Sequence, residues 1–161
     1  MNTSQRPIKL AILYRVLQHW RAPIFERLAE YEDIDLKVFH GESFNNTKVV
    51  NASGDMAFKS KKMWTIPIRL QTSNSLAVAP FCPGLLIDLI RYRPDVILCE
   101  GASNLPNNLI AYFYAKLFGA RIIQWSLGEI KNWRKSRLRR SLDWMIEWME
   151  THSDAILAYS T

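Results

Sequence analysis

Short apolar runs alternate with amphipathic stretches along most of this chain. "IKLAILY" (8–14) is nearly continuous in apolar residues, the mark of a strand buried on both faces. In "RAPIFERLAEYE" (21–32), Ile24, Phe25, Leu28 and Tyr31 recur at helical spacing, with Pro23 placed where a first helical turn tolerates it. "IDLKVFH" (34–40) predicts a second strand. Residues 41–62 are polar and irregular and predict a loop holding at most a short strand. "MWTIPIRL" (63–70) predicts a further strand, at an edge because Pro67 has no N–H for a ladder, followed by a loop over 71–80. Then come a helix "PGLLIDLIRYR" (83–93), a strand "DVILCE" (95–100), and a helix "PNNLIAYFYAKLFG" (106–119) closed by Gly119 as a left-handed cap. A strand "RIIQWS" (121–126), a helix over 132–151 and a strand "DAILAYS" (154–160) complete the series.

Strands that alternate with helices in this way imply a parallel sheet joined by right-handed crossovers. The expected fold class is therefore α/β: a Rossmann-like parallel sheet with helices on both faces. The first strand should be central, with strands 95–100 and 121–126 beside it, and strand order should reverse between the first strand and 95–100. A length of 161 residues suits one domain, 1–161, with a core that needs neither disulfide nor metal.

Composition changes this picture in one place. The chain is 48% hydrophobic and 22% charged, as globular proteins are. Its net charge of +6 comes from a single segment. Without Lys131, Arg134, Lys135, Arg137, Arg139 and Arg140, the remaining 15 basic residues equal the 15 acidic ones. A local patch argues against nucleic acid as partner, since that footprint spreads wider. Cys82 and Cys99 lie in apolar surroundings without ligand spacing and read as buried thiols in a reducing compartment. Sequons at Asn2, Asn45 and Asn51 matter only in a secreted protein, and the first apolar run is too short for a signal peptide. No stretch approaches the roughly 18–20 apolar residues of a membrane span. The expected localisation is cytoplasmic.

In open α/β sheets, ligands bind beyond the carboxyl ends of the strands. Those ends place Arg15, His19, Arg21, Glu100, Asn104, Ser126, Gly128 and Glu129 around one predicted cleft. Glu100 closes a five-residue apolar strand; it either faces a ligand or serves the fold, by capping the next turn or pairing with an arginine. "EGASNLPNN" gathers Ser103, Asn104, Asn107 and Asn108 around a helix start, where Asn104 is a candidate cap and amide side chains suit carbohydrate hydroxyls. His19 and Arg21 sit where the first βα loop meets a phosphate in Rossmann proteins; a lone histidine there is more often a plain surface residue. "YRVLQHW" contains no glycine, so a dinucleotide cofactor is not expected. P-loop, zincin and nucleophile-elbow motifs are lacking, and His19, His40 and His152 have no metal-ligand spacing. Neither cofactor nor metal is expected.

Taken together, "ILYRVLQHWRAPIFERLAE", "RPDVILCEGASNLPNN", "GARIIQWSLGE" and "SDAILAYST" resemble the N-terminal domain of a family 4 retaining glycosyltransferase of the GT-B fold. The resemblance covers almost the whole chain. It implies an acceptor-binding half whose partner, a C-terminal domain absent from this sequence, would hold a nucleotide sugar through a Glu-x7-Glu motif. Two motifs depart from the family. Its Gly-Gly loop after the first strand is "RVLQHWR" here, which leaves Arg15 or Arg21 to meet a diphosphate. Its histidine after the strand matching "IIQWS" is missing, so any such role falls to Ser126, the Gly128 amide or Glu129. The expected function is sugar transfer from a nucleotide sugar to a glycan or lipid-linked acceptor, inactive without the second domain. The alternative is a non-catalytic binding module for a glycan, phosphate or partner protein.

The basic segment "KNWRKSRLRRSLDWMIEWME" (131–150) admits three readings: membrane contact, a solvated helix, or single-stranded nucleic acid. On a helix, Leu138, Leu142, Met145, Ile146 and Met149 share one face, while Trp133, Arg137, Arg140, Trp144 and Trp148 gather on a flank. Because acceptors of the resembled family are often lipid-linked, the resemblance favours Trp133, Arg134, Lys135, Arg137 and Arg140 as contacts to an anionic membrane or acceptor. The protein would then sit peripherally at the inner membrane face.

Overall fold

A computed structural model describes residues 6–43, 51–52, 54–71, 76–101, 104–126 and 137–158. Six parallel strands form the main sheet: β1 (Ile8–Tyr14), β2 (Ile34–His40), β3 (Lys59–Lys62), β6 (Val96–Glu100), β7 (Arg121–Ser126) and β8 (Ala155–Ala158), in the order β3-β2-β1-β6-β7-β8. Strand order reverses between β1 and β6, as the alternation of the sequence predicts. β1 is flanked by β2 and β6; β7 pairs with β6 and lies two strands from β1, which corrects the expectation that 121–126 stands beside the first strand. The fold is a Rossmann-like α/β domain.

β1 shows why the first run had to be apolar throughout. Ile12 and Tyr14 belong to the core on one face of the sheet, under Phe25 of α1 (Ala22–Ala29), while Ala11 and Leu13 belong to the core on the other. That second face is covered by α2 (Leu85–Tyr92), α3 (Leu105–Phe118) and α4 (Arg137–Thr151), which contribute Leu85, Leu89, Ala111, Tyr112, Tyr114 and Met149. α3 ends as its sequence foretells, with Gly119 at φ 74° and its amide donating to the Ala115 carbonyl at 2.8 Å.

One stretch bears out the sequence reading and one differs from it. The short strand tolerated within 41–62 is β3, the outermost strand of the main sheet. The segment 63–80 is not one strand plus a loop: β4 (Ile66–Gln71) and β5 (Leu76–Phe81) form an antiparallel two-stranded ribbon. Pro67 stands opposite Pro80 in its register. In a ribbon of only two strands, both prolines can turn their missing N–H outward, so neither breaks the ladder.

Candidate functional site

Because all six strands of the main sheet run parallel, their carboxyl ends share one edge. There the first loop is tied down from three sides. The Arg15 amide donates to Glu100 Oε2 at 2.5 Å, joining the exits of β1 and β6 across the switch point. The Arg15 carbonyl accepts from the Gly41 amide at 3.1 Å, joining β1 to β2. A Cβ on Gly41 would come within 2.8 Å of that carbonyl, so the approach requires glycine. Asn51 straps the loop from above: its Oδ1 accepts from the Leu17 amide at 2.8 Å and its Nδ2 donates to the Gly41 carbonyl at 3.1 Å.

Arg21, at the N-cap position of α1, turns back over the same point. Its guanidinium carbon lies 4.4 Å from the centre of the Trp125 ring on β7. It also hydrogen-bonds the Tyr14 side chain. Burial raises the Tyr14 pKa, and the Glu100 carboxylate adds to that; Arg21 acts in the opposite direction. The phenol therefore stays neutral at physiological pH. Tyr14, Arg15, Arg21, Glu100 and Trp125 thus meet at one place, drawn from β1, the first loop, β6 and β7. A cation, a carboxylate and an indole side by side can hold a hydroxylated or anionic group. At the exit of β2, His40 is buried, with Nδ1 3.1 Å from the Gly41 carbonyl. Burial lowers its pKa, so the ring is neutral at pH 7.

Of the residues singled out in the sequence, Arg15, Arg21 and Glu100 come together here. His19 is exposed on the same loop, its ring edge-on to Trp20. Asn104 is 1% exposed and sits at the start of α3, in a separate amide cluster. It makes no side-chain cap; its Oδ1 instead accepts from Asn107 Nδ2 at 2.8 Å. Asn107 in turn holds both sides of the link from β5 to α2, accepting from the Cys82 amide at 2.8 Å and donating to the Pro80 carbonyl at 3.1 Å. Asn108 donates to the carbonyls of Glu100 and Gly101. Gly128, Glu129, Trp133, Arg134 and Lys135 lie outside the described residues, as do the side chains of Ser126, Arg137 and Arg140.

Three contributors were not among the sequence candidates. Tyr14 stood at a strand exit without being taken as a site residue, Trp125 read as strand core, and Asn51 read only as a sequon. Among the described residues, no group of three or more His, Cys, Asp and Glu side chains is placed to hold a metal ion. No described helix is long and apolar enough to cross a membrane.

These features define a Rossmann-like domain with a polar cluster at its topological switch point. No protein-family model and no curated protein matches the chain. Among solved structures it is similar to the UDP-GlcNAc 2-epimerase from Methanocaldococcus jannaschii, with a TM-score of 0.51 and 16% identity. The match covers 95% of this chain and 40% of that one, so the chain spans well under half the length of that enzyme. At this identity the likeness establishes the Rossmann-like fold.

Proposed function

We propose that this chain is the acceptor-side half of a two-domain GT-B glycosyltransferase, moving a sugar from a nucleotide-sugar donor to a glycan or lipid-linked acceptor. The observation that carries the reading is the meeting of Arg15, Arg21, Glu100, Tyr14 and Trp125 at the switch point, where open α/β sheets take their ligands. The fold likeness to a protein named for a nucleotide sugar supports it. In this reading Glu100 accepts a hydrogen bond from an acceptor hydroxyl, and Arg21 meets the anionic side of the donor. The nucleotide sugar itself is held by a second domain outside these residues.

Membrane contact belongs to the same proposal. The helix layer over one face of the sheet exposes large apolar side chains: Ile87 on α2, Phe113 and Leu117 on α3, Trp144 and Trp148 on α4. α3 is apolar nearly all round, as helices are when something other than water covers them. The basic run at the start of α4 supplies charge complementary to anionic headgroups. The second reading, a binding module without chemistry, draws support from the Arg15 amide, which already occupies one oxygen of Glu100.

The test is sugar transfer by the product of the complete reading frame. Glu100→Ala and Glu129→Ala should each lower the transfer rate, by about 10²-fold or more for a group acting in proton transfer, and by more than they lower stability, Glu100→Ala costing about 1–3 kcal/mol for the Arg15 amide it leaves unpaired. Parental rates in both variants would overturn the assignment. Retained ligand binding without transfer to any acceptor would favour the binding module.

A further inference from the structure

At the outer end of the same edge, the chain leaving β3 alternates buried, exposed, buried. Met63 is 5% exposed and Thr65 6%, yet Trp64 between them is 71% exposed. The exposure is imposed by the backbone. The Met63 amide donates to the His40 carbonyl at 2.8 Å. The Thr65 hydroxyl donates to the Met63 carbonyl at 2.9 Å and accepts from the Glu42 amide at 3.1 Å. The indole is therefore held out in water on a fixed stem, where a large apolar side chain gains nothing for the fold.

Trp64 borders a cavity of about 380 Å³ between β3 and α2, with Lys61, Lys62, Gly84, Ile87 and Arg91 among its walls. That size lies in the range of small-molecule sites, about 300–1,000 Å³. At Gly84 no atom lies within 4 Å of where a Cβ would stand, which leaves the end beside the start of α2 open. Three cations line the groove against a single carboxylate, Asp88. Asp88 is spent on Lys61 at 2.6 Å, and Lys62 pairs outside the groove with Glu42 at 3.1 Å. Arg91 is exposed and makes no ion pair among the described residues. The groove thus joins one flat apolar plate to Arg91, the lining cation with no ion pair among the described residues, beside Lys61 and Lys62, which each already hold a carboxylate.

We infer that this groove binds an anionic saccharide: a sugar ring lies on the Trp64 indole, and its carboxylate or phosphate meets Arg91 and Lys62. A pyranose has an apolar C–H face for the indole and hydroxyls for the ammonium groups. A nucleobase fits less well, since among the described residues no second aromatic ring and no amide side chain lines the groove to read its edge. The groove lies against the outermost strand of the sheet that carries the switch point. On the reading of this chain as an acceptor-side domain, on which the inference rests, it names the acceptor as acidic.

The experiment is calorimetric titration of the full chain with trigalacturonate, glucose 6-phosphate and neutral maltotriose. At least one anionic probe should bind about tenfold more tightly than maltotriose, and more weakly as salt rises. Trp64→Ala and Arg91→Ala, both at exposed positions, should each weaken that binding about tenfold with an unchanged circular dichroism spectrum. Equal affinity for maltotriose, no binding of either anionic probe, or parental affinity in either variant would overturn the inference. So would displacement of the probe by UDP, which marks a nucleotide site. Protection of Trp64 only by phosphatidylglycerol vesicles would overturn it too, since that marks a lipid contact. Failure of the transfer reading is separable: it shows in the Glu100→Ala rate and leaves Trp64-dependent saccharide binding in place.

Discussion

Asn104, Asn107 and Asn108, at the start of α3, are at most 2% exposed; Asn107 bonds to Asn104, and Asn107 and Asn108 bond to the main chain of two neighbouring connections. Arg15, Arg21 and Glu100, only a few residues from strand exits of the same sheet edge, are half-buried. Along the sequence the two groups look alike: polar residues where a parallel strand ends. They differ in where folding sends them. The asparagines close the gap between α3, β6 and the link from β5 to α2, so their hydrogen bonds are spent inside the protein. The other three stand around the switch point, where the connections leaving β1 and β6 part to opposite faces of the sheet. A polar side chain at a strand exit is thus a candidate site only when water still reaches it.

Three measurements press on this division, beginning with residues that face outward by proposal. Arg134, Lys135, Arg137 and Arg140 changed together to Ser should abolish binding to anionic vesicles, since each basic residue near such a surface contributes about 1 kcal/mol. Co-sedimentation should detect binding to anionic but not neutral vesicles. Binding should fade with salt, as the Debye length falls from about 10 Å at 0.1 M to about 3 Å at 1 M. Equal binding to both vesicle types would remove the electrostatic part of the proposal.

For the inward group, Asn107→Ala deletes the acceptor of the buried Cys82 amide and the donor to Pro80 and Asn104. Unfolding in urea should show a loss of roughly 3 kcal/mol, because a buried amide left unpaired costs about 1–3 kcal/mol and two further bonds go with it. Saccharide affinity per folded molecule should be unchanged. A loss below roughly 1 kcal/mol would mean that the cluster is rebuilt by water.

His40 gives the smallest effect. Its folded pKa is lowered by burial, so below the unfolded value of about 6.5 the unfolded chain takes up a proton that the folded one refuses. Stability should fall as pH drops from about 6.5 to the folded pKa and level off beneath it. His40→Gln should flatten that part of the pH profile. A profile of the same slope in the variant would assign the dependence to other groups.

The inner strands of the sheet were legible because they are buried on both faces. "IKLAILY" and "DVILCE" can be little else, and Gly119 announced the end of α3 in its own residue type. The ribbon of β4 and β5 was hidden because Pro67 and Pro80 read as breakers, whereas a two-stranded ladder has an outward side where a missing N–H costs nothing. At the site, Arg15, Arg21 and Glu100 followed from topology alone. Trp125 did not, because an apolar residue inside a strand gives no sign that a guanidinium will lie on its ring. Asn51 was equally silent: its bonds to Leu17 and Gly41 depend on how a long irregular segment folds back.

That strap bears on the order in which this chain can be folded and modified. Asn51 begins the sequon Asn51-Ala52-Ser53, so an oligosaccharyltransferase meeting the unfolded chain would see an acceptor there. Once folded, the same amide nitrogen is turned toward the Gly41 carbonyl beneath the first loop. A glycan attached earlier would replace one hydrogen of that nitrogen and crowd the bond to Gly41, while Oδ1 stays chemically able to accept from the Leu17 amide. Glycosylation at Asn51 and the hydrogen bond to Gly41 therefore compete for the same nitrogen.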